Sequence, residues 1–195
     1  RIQGELWDMP LEKAAMPGTF RIVARLDGVD FDYVPRSLQP AEQAPWPGVR
    51  GAKARFLLDR TALQIDGIEA GVAGAPGLRL TEGRVDIDDL ARETQAAVSA
   101  RVQGPAAEAL GFVQGSPLNA MMDGALARAR IGGTASTALR LQLPLADLRA
   151  SRVTGTLRLD DSDLRVAPDA PLLGNTRAAL TFTERGFAFS GARTQ

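Results

Sequence analysis

Two short runs of carboxylates are the residues in this chain whose types and spacing could do chemistry. One is "DIDD" at 86–89 and the other is "DDSD" at 160–163. Such oxygens could bind Ca²⁺, but neither run has the glycine and the closing glutamate of an EF-hand loop. Alternating aspartates usually form the solvated face of a strand, and "DDSD" is typical of a turn. We therefore predict neither a metal site nor a cofactor site.

Other catalytic chemistry finds little support in the sequence. The chain has no His and no Cys, which removes the commonest general base, thiol nucleophiles and Cys-based zinc sites. Paired carboxylates could hydrolyse a glycosidic bond, but sugar sites also need stacking aromatics, and the chain has two Trp and one Tyr. Gly132-Gly133 lacks the spacing and the lysine of a phosphate-binding loop. We predict no catalytic residue, and an envelope carbohydrate-active enzyme stays a second alternative.

Composition limits the possible partners. The 195 residues are 45% hydrophobic, and 23 Lys and Arg balance 23 Asp and Glu. Zero net charge gives no electrostatic case for a nucleic acid partner. No run of about 18 apolar residues exists to span a membrane. The chain begins at Arg1 and ends just after a strand-like pattern, so we expect a segment of a longer protein whose signal or anchor lies elsewhere.

Alternation of apolar and polar residues is the dominant pattern, and it indicates strands with one apolar face. Turn-like residues recur about every 8–12 residues, which favours an antiparallel all-β fold over βαβ units. The positions that we predict to share the apolar face are Phe20, Ile22, Leu26, Phe56, Leu58, Leu63, Ile65, Val85, Ile87, Val98, Val102, Leu139, Leu141, Leu143, Val153, Leu157, Leu159, Leu164, Val166, Leu180, Phe182, Phe187 and Phe189.

A repeated plan of strand, polar turn and second strand occurs at 49–67, 152–168 and 175–192. In the second repeat the turn is predicted at "DDSD". Repeats of this kind suggest a stack of hairpins rather than a closed fold around one active site. We also predict two strands at the N-terminus, "TFRIVARL" and "VDFDYV".

Two segments interrupt the alternation and predict short helices near 105–113 and 117–131. Pro105 suits a first helical position, Ser116 can cap the second helix, and Gly132-Gly133 can end it. The Pro-rich stretch at 35–48 predicts a linker. We therefore divide the chain into a strand pair at 1–34 that ends a preceding repeat, this linker, and a β domain at 49–195.

Two short helices are too small to cover the apolar face of about ten strands. The sheet must then curl on itself, pack on a second sheet, or leave a groove that holds something apolar. We expect a mainly β fold of antiparallel hairpin repeats, curled into an open, twisted sheet with an apolar concave face and one or two short helices. A non-catalytic β-sandwich, acting as a structural or interaction module, is the alternative.

The order of these segments resembles the AsmA-like family, in its YhdP branch, over about residues 46–192. "WPGVRGAKARFLLDRTALQIDG" resembles the strand pair that follows a Trp-Pro in that family. "RVDIDDLARETQAAVSARVQGPAAEALGFVQGSPL" resembles its strands, helix and Ser-Pro-Leu, and "MDGALARARIGGTASTALRLQLPL" resembles the helix and strand that come next. "VTGTLRLDDSDLRV" and "NTRAALTFTERGFAFSGA" resemble its repeating hairpins. These motifs are structural, so no catalytic or cofactor residue is transferred with them.

The resemblance implies a long periplasmic protein of Gram-negative bacteria, anchored in the inner membrane by a helix outside this segment. It implies phospholipid transport to the outer membrane through an apolar trough. The implied partners are phospholipid, neighbouring repeats of the same longer chain and the inner membrane. On this basis we expect the apolar positions given above to line a lipid groove.

Overall fold

The computed structural model shows one open antiparallel sheet with two short helices. This confirms the predicted fold class. The structure describes residues 1–4, 17–34, 36–39, 41–42, 44–92, 95–121, 123–124, 126–144, 146, 150–165, 171–183 and 186–193.

The strands follow one another across the sheet nearly in chain order. They are β1 (Ile2–Gln3), β2 (Thr19–Phe31), β3 (Val49–Asp59), β4 (Ala62–Val72), β5 (Ala75–Ile87), β6 (Gln95–Pro105), β7 (Arg130–Ile131), β8 (Thr134–Pro144), β9 (Arg152–Arg165), β10 (Leu173–Thr183) and β11 (Gly186–Arg193). The order in the sheet is β1-β2-β3-β4-β5-β6-β8-β9-β10-β11, and the two-residue β7 pairs with β9 off this path. Between β6 and β7 lie the helices α1 (Ala106–Gln114) and α2 (Leu118–Met121).

Two of the three predicted hairpins are present. β3 and β4 pair from Asp59↔Ala62 outward, and β10 and β11 pair from Thr183↔Gly186. The hairpin predicted at 152–168 is absent, and that prediction is wrong, because β9 runs without a turn through 160–163. There the Ser162 hydroxyl donates to the carbonyls of Asp160 and Thr134, at 3.1 and 3.4 Å. This bonding holds the polar run in an extended conformation, where the register against β10 shifts by one residue.

The N-terminal prediction is also corrected. "TFRIVARL" and "VDFDYV" belong largely to a single 13-residue strand, β2, and the two-residue β1 pairs with its beginning. β2 pairs along its length with β3, so segment 35–48 connects neighbouring strands of one sheet. A 3-10 turn at Arg36–Leu38 lies in this connection. The division into functional domains stays a prediction.

The helix predicted at 117–131 is much shorter than expected. α2 ends at Met121, and Asp123 and Gly124 adopt positive φ angles of 51° and 67°, which stop an α-helix. The first predicted helix lies close to its expected place, with Pro105 at the N-cap of α1. Sequence patterning failed at the second because apolar spacing alone does not reveal an early left-handed turn.

A staggered line of β-bulges crosses β2–β5, and sequence patterning did not predict it. An extra residue in a strand would turn every following side chain to the other face, unless a bulge absorbs it. Ile65 and Ile68 are three residues apart in β4, yet both pair with apolar-face positions of β5. The residues that adopt positive φ at these register shifts are Gly28, Gly51, Gly67 and Glu82.

Gly67 allows a matched test of this backbone geometry. Its φ is 62°, and a Cβ there would meet no atom within 4 Å, so Gly67→Ala should destabilise the fold by about 1 kcal/mol through backbone strain alone. Gly111, inside α1, also has open space around it but no positive φ. Gly111→Ala should stabilise the fold by about 0.5–1 kcal/mol. Urea unfolding of both variants measures the difference, and equal shifts would contradict the strain argument.

Candidate functional site

The register of the sheet gathers the apolar positions into continuous rows on one face. Paired residues on neighbouring antiparallel strands point to the same side of a sheet. A central row crosses β2–β9 through Ala24, Phe56, Ile65, Val85, Val98, Leu141 and Val153. A second row runs beside it through Ile22, Leu58, Leu63, Ile87, Ala96 and Leu143. The result is one apolar face that extends across the strands, which we call the apolar face below.

The predicted positions of β8, β9 and β10 whose side chains the structure describes join the same surface. Leu139, Gly155 and Phe182 form one row, and Val102, Thr137, Leu157 and Leu180 form the next. Backbone pairing aligns Phe187 with Phe182 and Phe189 with Leu180. The backbone of Leu164 pairs with Leu173, whereas Val166 lies outside the described residues.

Sequence patterning missed part of the apolar face. The added positions lie in β4 and β5, where the bulges change the spacing from two residues to three: Ile68, Ala70, Val72, Ala75, Leu78 and Leu80. The glycine-rich stretch "GVAGAPGLRLTEG" hid these strands, because glycine is more typical of turns. Apolar residues spaced three apart with a glycine between them are the sequence signal that could have identified these positions.

The helix α1 covers only one margin of the apolar face. Ala106 of α1 packs with Ala135, near the start of β8, and with Leu159 and Ala178, in the middle of β9 and β10, in a small buried cluster. α1 otherwise contacts β5, β6, β7 and β8, and the strands contact their neighbours in the sheet. Among the described residues, therefore, no second layer lies over the central row.

The apolar face is most exposed at the first long strand. Phe31 and Ile22 of β2 are 59% and 39% exposed, and Val29 between them is 36% exposed. Farther into the sheet the large residues of the central row, such as Phe56 and Leu141, are half-buried by their neighbours. A half-buried row without a covering layer leaves water in contact with apolar side chains, which is energetically unfavourable.

The opposite face carries charges held in ion pairs, some across strands and some within one strand. Arg55 makes a bidentate bond to Asp66, at 3.0 and 2.7 Å, and this hydrogen bond holds the pKa of the Asp66 carboxyl below its usual range. Arg84 makes a similar bond to Asp86 at 2.6 and 2.7 Å. The sheet is thus apolar on one side and charged on the other over the same strands.

Two close approaches of the backbone seat α1 on the sheet. The carboxylate of Glu108 accepts the Gly77 N–H at 2.7 Å. A Cβ at Gly77 would lie 2.6 Å from the Glu108 carboxylate and 2.8 Å from the Pro105 ring. A Cβ at Gly104 would overlap the carbonyl oxygen of Gly77. A side chain at Gly77 would therefore meet α1 directly, and one at Gly104 would displace the Gly77 backbone to which Glu108 is bonded.

The arrangement offers contact area rather than convergent polar groups. Among the residues that the structure describes, no three carboxylates come close enough together to hold a metal ion. The side chains of the apolar face are mostly aliphatic, and they contact other apolar groups without directional bonds. Such a face can bind hydrocarbon of varied shape along its length.

One of three comparisons with known proteins found a match. Within the described part of the chain, every helix is too short to cross a membrane. A family model described as YhdP protein matches residues 1–195, which is the whole sequence. Neither the curated proteins nor the solved structures contain a match to the chain.

Proposed function

Because this chain belongs to the YhdP family, we propose that its apolar face shields phospholipid acyl chains on their way between the inner and outer membranes. The family is one of envelope proteins and is not a known enzyme family. The observation that carries the proposal is the apolar face, which has no covering layer over its central row within the described residues. In this function the periplasmic segment forms part of a longer path whose inner-membrane anchor lies elsewhere in the protein.

The energetic need for such a face follows from the lipid. Exposing an acyl chain to water costs about 0.8 kcal/mol per CH₂, so a chain of about fifteen carbons costs about 12 kcal/mol. That cost makes unaided passage through an aqueous space very slow. Contact with aliphatic side chains removes much of it. The absence of directional bonds to the hydrocarbon leaves the lipid free to slide.

The dimensions of the uncovered surface suit an acyl chain. From Thr137 to Leu143, β8 advances about 20 Å below the margin that α1 covers. One leaflet of hydrocarbon is about 15 Å thick, half of a bilayer core of about 30 Å. An extended tail can therefore lie along the strands, or tails can follow one another across the rows.

Lipid co-purification tests the proposal directly. The chain, produced in a Gram-negative host and directed to the periplasm, should carry phospholipid that organic extraction and mass spectrometry detect. Lipid should be present at a substantial fraction of one molecule per chain. A chain of unrelated fold purified in the same way is the control. No lipid above that control, together with a second layer over the central row in an experimental structure, would reject the proposal.

The alternative is a structural module in which another sheet or chain covers the apolar face. The exposed residues of β2, including Phe31, are compatible with a partner there. This alternative predicts an assembly whose formation displaces lipid completely. It also predicts that a charge placed on the central row prevents assembly rather than lipid binding.

A further inference from the structure

The charged face of the sheet is divided into two unlike halves. In β2–β5 most basic side chains have an acidic partner: Arg21 with Asp59, Arg50 with Asp32, Lys53 with Asp27, Arg55 with Asp66 and Arg84 with Asp86. The exceptions are Arg25, which lies opposite Arg55, and Arg79, whose guanidinium donates to the backbone carbonyls of Pro76 and Leu78. These pairs balance charge locally, so this half presents little net field to a partner.

The other half carries three exposed arginines without an acidic partner among the described residues. They are Arg140 on β8, and Arg152 and Arg158 on β9, and we call them the arginine platform. Asp160 follows Arg158 by two residues on β9 and forms no ion pair with it, and Glu82 is paired with Arg101 of β6. The chain is neutral overall, but its charge is distributed unevenly.

The direct neighbours of the platform are small hydrogen-bonding residues. Cross-strand pairing places Ser99 and Thr154 beside Arg140. It places Gln142 beside Arg152 and Ser136 beside Arg158. Hydroxyl and amide groups between guanidinium groups provide further donors for phosphate oxygens without competing negative charge.

The backbone beneath the platform is the most regular part of the sheet. The β6–β8 pairing runs from Gln95↔Pro144 to Pro105↔Thr134 without a register shift, and the β8–β9 pairing is also continuous. The bulges that bend β2–β5 are absent between these strands. The three arginines therefore lie on strands that pair in a regular register across β6, β8 and β9.

The chemistry of the platform decides which partner fits. Protein interfaces depend on buried aromatic or large aliphatic anchors, and the residues between the arginines are Ala, Ser, Thr and Gln. A guanidinium group binds phosphate through two parallel hydrogen bonds. Charges spread over a sheet face match the repeated headgroups of a membrane better than one small anion. We propose that the arginine platform docks this face of the sheet on an anionic phospholipid bilayer.

This docking goes beyond the proposed function, because it uses the face opposite to the apolar face. Each basic residue near an anionic surface strengthens binding roughly fivefold, so three together contribute about a hundredfold. The interaction weakens with salt, since the screening length falls from about 10 Å at 0.1 M to about 3 Å at 1 M.

Vesicle sedimentation with the whole chain tests the platform. Vesicles of phosphatidylglycerol and phosphatidylcholine should bind the chain, and vesicles of phosphatidylcholine alone should not. The triple variant Arg140→Gln, Arg152→Gln, Arg158→Gln should bind the anionic vesicles about a hundredfold more weakly. The matched control, Arg21→Gln, Lys53→Gln, Arg84→Gln, loses the same charge from the same face but from ion pairs, and should retain most of the binding.

Three outcomes would overturn the proposal. One is no binding to anionic vesicles by a chain whose circular dichroism shows the native sheet. Another is that both triple variants weaken vesicle binding equally, which would show that binding depends on the net charge of the chain rather than on the arginine platform. The third is loss of vesicle binding in Phe56→Asp with the platform intact, which would assign the binding to the apolar face. Lipid co-purification is read independently, so failure of one proposal leaves the other standing.

Discussion

Replacing Phe56 with Asp is expected to weaken the binding of a fluorescent phospholipid analogue about a hundredfold. Phe56 lies in the central row, between Ala24 and Ile65 on the neighbouring strands. A carboxylate there must lose several kcal/mol of hydration when hydrocarbon covers it, and about 1.4 kcal/mol corresponds to a tenfold change in affinity. A fluorescence titration against the unchanged chain measures the effect.

Leu57→Asp is the matched control for this charge. Leu57 is the next residue on the same strand and is half-buried like Phe56, but it faces the other side, between Val23 and Gln64. Both variants lose a large apolar side chain and gain one charge. Leu57→Asp should leave the affinity for the analogue within about threefold, or about 0.7 kcal/mol, since its side chain lies on the face away from the bound hydrocarbon. Equal weakening in both variants would contradict a binding surface on the apolar face.

The same two variants separate an open face from a closed core. If water reaches Phe56 in the lipid-free chain, Phe56→Asp and Leu57→Asp should lower the free energy of unfolding by amounts that agree within about 1 kcal/mol. A second layer over the row would leave the new carboxylate buried without a partner, which costs several kcal/mol more. Urea unfolding of lipid-free protein provides this comparison.

Gly104→Ala should destabilise the fold by about 2–5 kcal/mol and release α1 from the sheet. The φ of Gly104 is 155°, which disfavours a side chain, and a Cβ would overlap the Gly77 carbonyl. Backbone strain contributes about 1–3 kcal/mol and the steric conflict a similar amount. The conflict lies with backbone rather than with a flexible side chain, so it is not relieved by a rotamer change.

Gly71→Ala provides the reference for this substitution. A Cβ at Gly71 would lie 3.6 Å from the Arg50 carbonyl, an ordinary contact, and its φ is not positive. We expect a change in unfolding free energy within about 0.5 kcal/mol. Thermal unfolding gives the stabilities, and protease cleavage near Ala106 reports release of α1. A mild effect of Gly104→Ala, with α1 still protected, would contradict the seating of the helix through Gly77 and Gly104.

The strands could be predicted from sequence because the rule behind them is local. One face meets water and the other does not, so residues such as Phe56 and Arg55 alternate whatever the rest of the chain does. The same rule gave the hairpin of β3 and β4 and the apolar positions of β8. The prediction of a turn at "DDSD" failed. The polar run suggested a turn there, but the chain remains extended within β9.

The bulges could not be predicted because they depend on pairing between strands. Glu82 adopts a φ of 53° although it is not a glycine, and nothing in its immediate sequence requires this. Its conformation follows from the register on both sides, where Leu80 pairs with Val102 and Val85 with Val98. The arginine platform was missed for a related reason. Net charge is summed over the chain, whereas the separation of paired from unpaired arginines exists only in the sheet.

The order of the strands has a consequence for how the sheet is assembled. Apart from the connection through α1, α2 and β7, each long strand pairs with its successor in the chain. Most of these connections are short, so closing them costs little chain entropy, and topologies of local contacts fold quickly. Each strand can therefore pair as soon as the strand that precedes it in the chain has joined the sheet. Assembly can proceed in one direction along the chain, and a hairpin can be gained or lost at an edge without rebuilding what is already folded.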